Sequence, residues 1–422
     1  MQFHLKKILS LQHNKTLQKG VMFSFFSFLN AGINFVLLIL IAGFISPEGY
    51  GHINLFTTTI QIFTLVICFN TNGFESIVYF KKDATEFRRT INTILSLGIG
   101  CFLLLSILLL LLSETFEKLI GLDFYFMWIA LWICLFSIIT QLNLNIFRIE
   151  EKIQKYGFYA VTLAVLNFAL TFLLVITFKQ DWKGRIYAQV IAYFLLFLFS
   201  IVFLIKNKYI TLVKPNCESI KEALGFGLPL IPHSASSWLR QGLDRYFINV
   251  FHNTTQVGLF SLSMNFANII LMVGDAFNQT NSVYIYKNLS AENQDEVKYK
   301  LKKQTLLLSG LFLLITILII SCSYFLIPII FPKYERAVVY VPFLCLSMFF
   351  KCIYFQFCNY LFYYKKTLGL MYITFSCSLL HTILSFCLTR YSILYTTIIS
   401  AIIDLLITTG VFFYSRRFYK IW

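Results

Sequence analysis

Residues 305–330 read TLLLSGLFLLITILIISCSYFLIPII, a run without one charged side chain. About 20 such residues cross a hydrocarbon core of roughly 30 Å as a helix, which satisfies its own backbone hydrogen bonds where no water can. The stretch reads as a transmembrane helix, and the same pattern recurs outward from it in both directions. Comparable runs lie at 21–45, 53–80, 90–112, 124–147, 156–178, 185–205, 225–251, 257–285, 338–363, 367–389 and 392–414. The seventh, 225–251, is the least regular, since it carries Pro229, Pro232, Arg240, Asp244 and Arg245. Composition agrees: 58% of the 422 residues are hydrophobic, 13% are charged and the mean hydropathy is +0.74, against roughly 25% charged in a soluble domain. The expected fold class is all-α integral membrane, with about twelve transmembrane helices.

The net charge of +16 is a topology signal rather than a nucleic-acid footprint, because the cations come in small clusters between apolar runs. Lys118, Lys179, Lys183, Arg185, Lys333, Arg336 and Arg390 fall on one side, Arg240, Arg245 and Lys351 fall within spans, and the other 25 of the 35 Lys and Arg residues share the opposite side. By the positive-inside rule that side is cytoplasmic, so both termini are expected there and the turn at 253–256 outside. Localisation is expected in a bacterial cytoplasmic membrane, multi-pass. The basic segment 1–20 precedes an apolar run too long for a signal-peptide core and is expected to be retained.

The longest connections, 206–224 and 286–304, are too short for a folded domain. The ten cysteines include no CxxC pair and no His/Cys spacing for a metal, and Cys68, Cys101, Cys134, Cys322, Cys345, Cys377 and Cys387 read as small core residues. No GxxxxGK[ST], GxSxG or HExxH is present, so ATPase, hydrolase and zinc-protease chemistry are not indicated and neither cofactor nor metal is expected.

Gly20 and Gly51 bracket the first span, and Gly227 and Gly258 bracket the seventh, each pair 31 residues apart. Ser76-Ile-Val-Tyr-Phe-Lys81 likewise answers Ser282-Val-Tyr-Ile-Tyr-Lys287. An offset of six spans implies two parallel repeats. The expected organisation is a basic N-terminal segment 1–20, a six-helix bundle 21–205, a cytoplasmic linker 206–224, a second bundle 225–414 and a tail 415–422.

Ionisable groups deep in a span cost roughly 2.5–3.5 kcal/mol each on insertion scales, which makes each a functional candidate. They are Glu75, Arg240, Asp244, Arg245, Asp275, Lys351 and Asp404, with His233 and His381 as titrating groups. Arg240 and Asp244, four apart, are placed to pair on one helix face. Arg245, about 100° from Asp244, either reaches the outer surface or is left to bind an anion. Lys351 and Asp404 sit midway along their spans and form either an interhelical ion pair or part of a ligand site. Asn143 and Asn145 are too close in sequence to share a face. Three cations against four acids do not by themselves select a substrate.

Several stretches together resemble the Wzx-type polysaccharide flippases of the MOP superfamily, which also holds MATE exporters and lipid II flippases. They are SPEGYG at 46–51, WKGRIYAQVIA at 182–192, GFGLPLIPHS at 225–234, DRYFI at 244–248 and VGLFSLS at 257–263. The resemblance implies two six-helix bundles around a central cavity, and a transporter, not an enzyme, that flips undecaprenyl-diphosphate-linked oligosaccharide from the cytoplasmic to the outer leaflet. It implies as partners the lipid-linked oligosaccharide, the bilayer, and a polysaccharide polymerase and chain-length regulator, with no nucleic acid. Arg240, Asp244 and Arg245 lie in and around the family's span-seven motif. Arg240, Arg245 and Lys351 are thus the candidate substrate-binding residues, and Asp244, Asp404, Asp275 and Glu75 the candidate charge-pairing or coupling residues, the last three and Lys351 on depth alone. A MATE-like exporter of small cations is the alternative reading. A polymerase or ligase acting on the same lipid-linked sugars is the other, though the large outer loop usual in such enzymes is missing.

Overall fold

The structure is a computed structural model describing residues 15–71, 73–211, 213–290 and 294–419, with the side chains of 15–21, 24, 233 and 294 also outside the description. His233 and most of the segment 1–20 therefore fall outside the described part. Among the described residues the secondary structure is helical, with no strand. The first half comprises α1 (Lys15–Ala42), α2 (Pro47–Cys68), α3 (Phe74–Lys81), α4 (Ala84–Leu111), α5 (Ser113–Ile120), α6 (Phe124–Ile149), α7 (Ile153–Thr171) and α8 (Asp181–Lys206). The second comprises α9 (Cys217–Gly227), α10 (Ile231–Gln241), α11 (Leu243–Phe251), α12 (Thr254–Leu289), α13 (Gln294–Ile330), α14 (Val341–Tyr363), α15 (Thr367–Thr389) and α16 (Ile393–Ser415).

Eleven of the described helices are long and apolar enough to cross a membrane, so the chain is a multi-pass membrane protein. The seventh predicted run, 225–251, is not a continuous helix. It divides into the end of α9, a 3₁₀ turn at Leu228–Leu230, α10 and α11, because Pro229 and Pro232 lack amide protons and their rings disturb the preceding turn. The second run, 53–80, is also interrupted: α2 ends at Cys68, and Gly73 at φ +100° starts α3. Only glycine adopts that conformation at little cost.

Polar side chains fix the helix starts. Asp83 accepts from the Glu86 amide at 2.8 Å, and Asn253 from the Gln256 amide at 3.0 Å. Asn216 and Ser219 form a reciprocal capping box at the start of α9, satisfying amides that the helix itself leaves orphaned. Lys82 joins Glu222 at 2.7 Å, tying the α3–α4 connection to α9. That hydrogen bond holds the ammonium above the usual lysine range.

Two compact units emerge. The first contains Met1–Phe44, Thr59–Glu117 and Leu122–Ile231, and the second Ile45–Thr58, Lys118–Gly121 and Pro232–Trp422. The segments 45–58 and 118–121, placed in the N-terminal bundle by the sequence, thus group with the second unit. In the first unit the core joins Phe147, Tyr159 and Leu163 to Ala192 and Leu196. In the second, α14 packs most closely against α12 and α16, with Phe357 and Leu361 against Ile403, Ile407 and Val411. The cysteines expected in cores divide: Cys68, Cys134 and Cys345 are buried, whereas Cys322 and Cys387 are exposed. On α13, Leu314, Ile317, Tyr324 and Ile329 are likewise exposed, as suits a helix face turned to hydrocarbon.

Candidate functional site

The site is built on the broken seventh segment. Pro232 lies in the first turn of α10, where its missing N–H is an orphan in any case. At the other end the helical ladder closes early: the Gly242 amide bonds to the Trp238 carbonyl at 2.7 Å, and the Arg245 amide reaches only to Gly242, at 3.1 Å. A Cβ on Gly242 would lie 2.7 Å from the Trp238 ring, so a glycine is needed where α10 meets α11. Arg240 and Asp244 take separate partners across this junction, and the i,i+4 pair expected between them does not form.

Arg240 instead donates from Nη1 to Asp404 Oδ1 on α16 at 2.7 Å, and from Nε to the Ser236 carbonyl at 3.3 Å. Lys351 on α14 approaches the other carboxylate oxygen, with Nζ 3.7 Å from Oδ2. The Ser347 hydroxyl donates to that same oxygen. Asp404 is therefore shared by two cations, and all three side chains are mostly buried. They line a cavity of about 190 Å³ together with Ser237, Gln241, Tyr354 and Thr408, room for several waters. The wall holds two positive charges to one negative in a setting where charge is weakly screened. Asp275, exposed on α12, interacts electrostatically with Lys351 but does not line the cavity.

Asp244 belongs to a second cluster. Fully buried on α11, it accepts from Ser385 Oγ at 2.6 Å and lies 3.5 Å from His381 Nε2, both on α15. His381 Nε2 is also 3.3 Å from Ser400 Oγ on α16. Ser385 continues through Thr389 to Thr396, at 3.4 and 2.7 Å. A column of exchangeable protons thus runs through the helix interface, with an acid and an imidazole at one end.

The remaining candidates stand apart from both clusters. Arg245, half-buried, donates to the Gln241 carbonyl at 2.7 Å and to Ser261 Oγ at 3.2 Å. Glu75 is buried in the first unit, held by Asn145 Nδ2 at 2.6 Å and the Gly73 amide at 2.9 Å. Asn143, on the other face of α6, bonds Ser200 at 3.3 Å. Arg185, assigned by the sequence to the outer side, is buried against Asn167 Oδ1 at 3.2 Å and Thr171 Oγ1 at 3.1 Å. Those partners are four apart on α7, a signal present in the sequence but common to many helices. Ser347 and Ser385 were missed because a serine within a span carries no mark of which helix it faces.

The polysaccharide biosynthesis protein family's sequence model matches residues 16–282. The chain belongs to this family. A MatE model matches residues 229–387, which hold the broken segment and the polar column of α15. Among curated proteins the chain is 25% identical over 363 residues to a protein of the Lsg locus of Haemophilus influenzae, covering 83% of this chain and 85% of that one. An uncharacterized membrane protein of the same organism is 25% identical over 359 residues, with 83% and 84% covered. Two solved structures share the fold at low identity. The lipid II flippase MurJ, in an inward closed conformation, aligns with a TM-score of 0.73 at 15% identity over 94% of this chain and 87% of that one. A multidrug resistance MATE family transporter of the MOP superfamily, inward-facing, aligns at 0.70 and 14% over 92% and 94%. This family member therefore has the all-helical MOP-type fold, with helices long enough to span a membrane.

Proposed function

We propose that this family member flips undecaprenyl-diphosphate-linked oligosaccharide repeat units from the cytoplasmic to the outer leaflet of the bacterial inner membrane, for surface polysaccharide synthesis. The observation that carries the reading is the cavity wall in which Arg240 and Lys351 share Asp404. Sugar hydroxyls are costly to strip of water, so the headgroup needs a polar route while its lipid tail stays in the bilayer. An excess cation in such a route suits a diphosphate. Lys351 is the mobile member, because its contact at 3.7 Å is looser than the 2.7 Å bond of Arg240 and its flexible stem carries a compact charge. On arrival of a phosphate Lys351 turns to it, while Arg240 stays with Asp404 and keeps that carboxylate neutralised. Asp244 and His381 supply a second, separate place for a proton, which suits ion-coupled movement. With an inside-negative potential, outward passage of an anion is favoured by about 2.3 kcal/mol per charge per 100 mV.

The match to the MatE model supports a second reading, export of small cations. Two cations on the cavity wall oppose it, since a cationic ligand would be repelled there. A strain lacking the gene separates the two. Wild-type chain is expected to restore surface polysaccharide without lowering accumulation of a fluorescent cation. Restored cation efflux with no polysaccharide would establish the exporter instead.

A further inference from the structure

The first unit carries an apolar furrow of about 600 Å³ between α1 and α7, lined by Phe28, Gly32 and Val36 on one side and Val165, Phe168 and Ala169 on the other. Its shape follows from two glycines. At one end the helices touch: a Cβ on Gly157 would lie 2.4 Å from the Phe26 ring, and Ser27 Oγ is 2.9 Å from the Tyr156 hydroxyl. Farther along, a Cβ on Gly32 would meet nothing within 4 Å, so the furrow is open there. From Phe25 to Val36 the furrow runs about 16 Å at 1.5 Å per residue, which is the depth of about one leaflet. Its closed end adjoins the connection between α6 and α7. There Arg148 donates to the Tyr156 hydroxyl at 3.2 Å and lies 5.4 Å above that ring. Lys155 is exposed nearby, and Lys152 is paired with Glu150 at 2.7 Å.

We propose that this furrow seats the polyprenyl chain of the lipid-linked substrate, with Arg148 meeting its phosphate at the cytoplasmic face. The proposal rests on the flippase reading above. An apolar trough of one leaflet's depth that ends at an exposed guanidinium matches a single long hydrocarbon chain with an anionic head. Phe25, Phe28 and Phe168 give it broad faces on which methyl-branched isoprene units pack. Docking there keeps the tail in the inner leaflet and the phosphate at Arg148, while the sugars beyond it are free to move.

The test uses the full chain in phospholipid nanodiscs and an undecaprenyl phosphate carrying a photoreactive diazirine in its chain. Crosslinks are expected on α1 and α7, displaced by unlabelled undecaprenyl phosphate and not by added phosphatidylglycerol. Gly32→Leu, which fills the open space, should cut the labelling about tenfold at an unchanged melting temperature; Val165→Trp, on the opposite wall, serves the same purpose should the first variant fail to accumulate. Arg148→Gln should weaken displacement several-fold. Labelling that yields equally to phosphatidylglycerol, or that survives both filled variants, would show a trough for bulk lipid and overturn the proposal. Displaceable labelling mapped away from α1 and α7 would overturn it while leaving the flippase reading intact. No displaceable labelling anywhere would overturn both.

Discussion

Asp404 accepts from Arg240 at 2.7 Å and faces Lys351 at 3.7 Å, and this inequality decides how substitutions there should behave. Lys351→Met leaves the tighter pair in place, so the protein should accumulate and melt as the wild type does while surface polysaccharide is lost. Asp404→Asn leaves two buried cations without a carboxylate, at about 3–5 kcal/mol; immunoblots of the membrane fraction should show less protein as well as less product. Equal abundance and equal activity in both variants would remove the cluster from the mechanism. The second cluster has its own asymmetry. His381→Leu leaves the fully buried Asp244 carboxyl group with one serine, whereas Asp244→Asn keeps a hydrogen-bonding side chain of the same shape beside Ser385 and His381. The first should cost about 3 kcal/mol and the second about 1 kcal/mol, to be read as thermal midpoints in detergent, and the reverse order would contradict His381 as the principal partner of Asp244. Depth in a span was enough to find Asp404, Lys351 and Asp244 in the sequence. Their partners were not legible, because the i,i+4 rule that paired Arg240 with Asp244 holds only along an unbroken helix.

The breaks themselves were half legible. Pro229 and Pro232 mark the interruption before α10, while the Trp238 ring lying against Gly242 leaves no comparable mark in the sequence. The repeat is clearer in space than in sequence. A Cβ on Gly51 would meet the Thr254 carbonyl at 2.1 Å, and one on Gly258 would meet the Pro47 carbonyl at 1.8 Å. The starts of α2 and α12 therefore cross through reciprocal contacts related by one shift of 207 positions, 47 to 254 and 51 to 258, as a two-fold repeat requires. Backbone against backbone has little room to relax, so Gly258→Ala should destabilise by about 1–3 kcal/mol. Gly32→Ala, in open space, should instead be neutral or gain up to about 1 kcal/mol of helix propensity. Melting curves of the two purified variants, run side by side, provide the comparison; equal midpoints would contradict a close backbone crossing at Gly258.

At the scale of the molecule, hydropathy was the most legible feature, since the bilayer admits few solutions and a span is a helix of fixed minimum length. The candidate site was less legible because its polar groups are brought together from α10, α14 and α16, far apart in sequence. In the proposed function the cations of this cavity carry a diphosphate-linked sugar across the membrane. This is tested most directly with purified protein reconstituted in vesicles containing an undecaprenyl-diphosphate-linked saccharide, by following the headgroup's exposure to an impermeant glycosidase. Wild-type protein should expose the headgroups of the shielded leaflet far faster than protein-free vesicles do, and Lys351→Met, equally well reconstituted, should return the rate to that background. A wild-type rate no faster than in protein-free vesicles, or a Lys351→Met rate equal to the wild type, would contradict it.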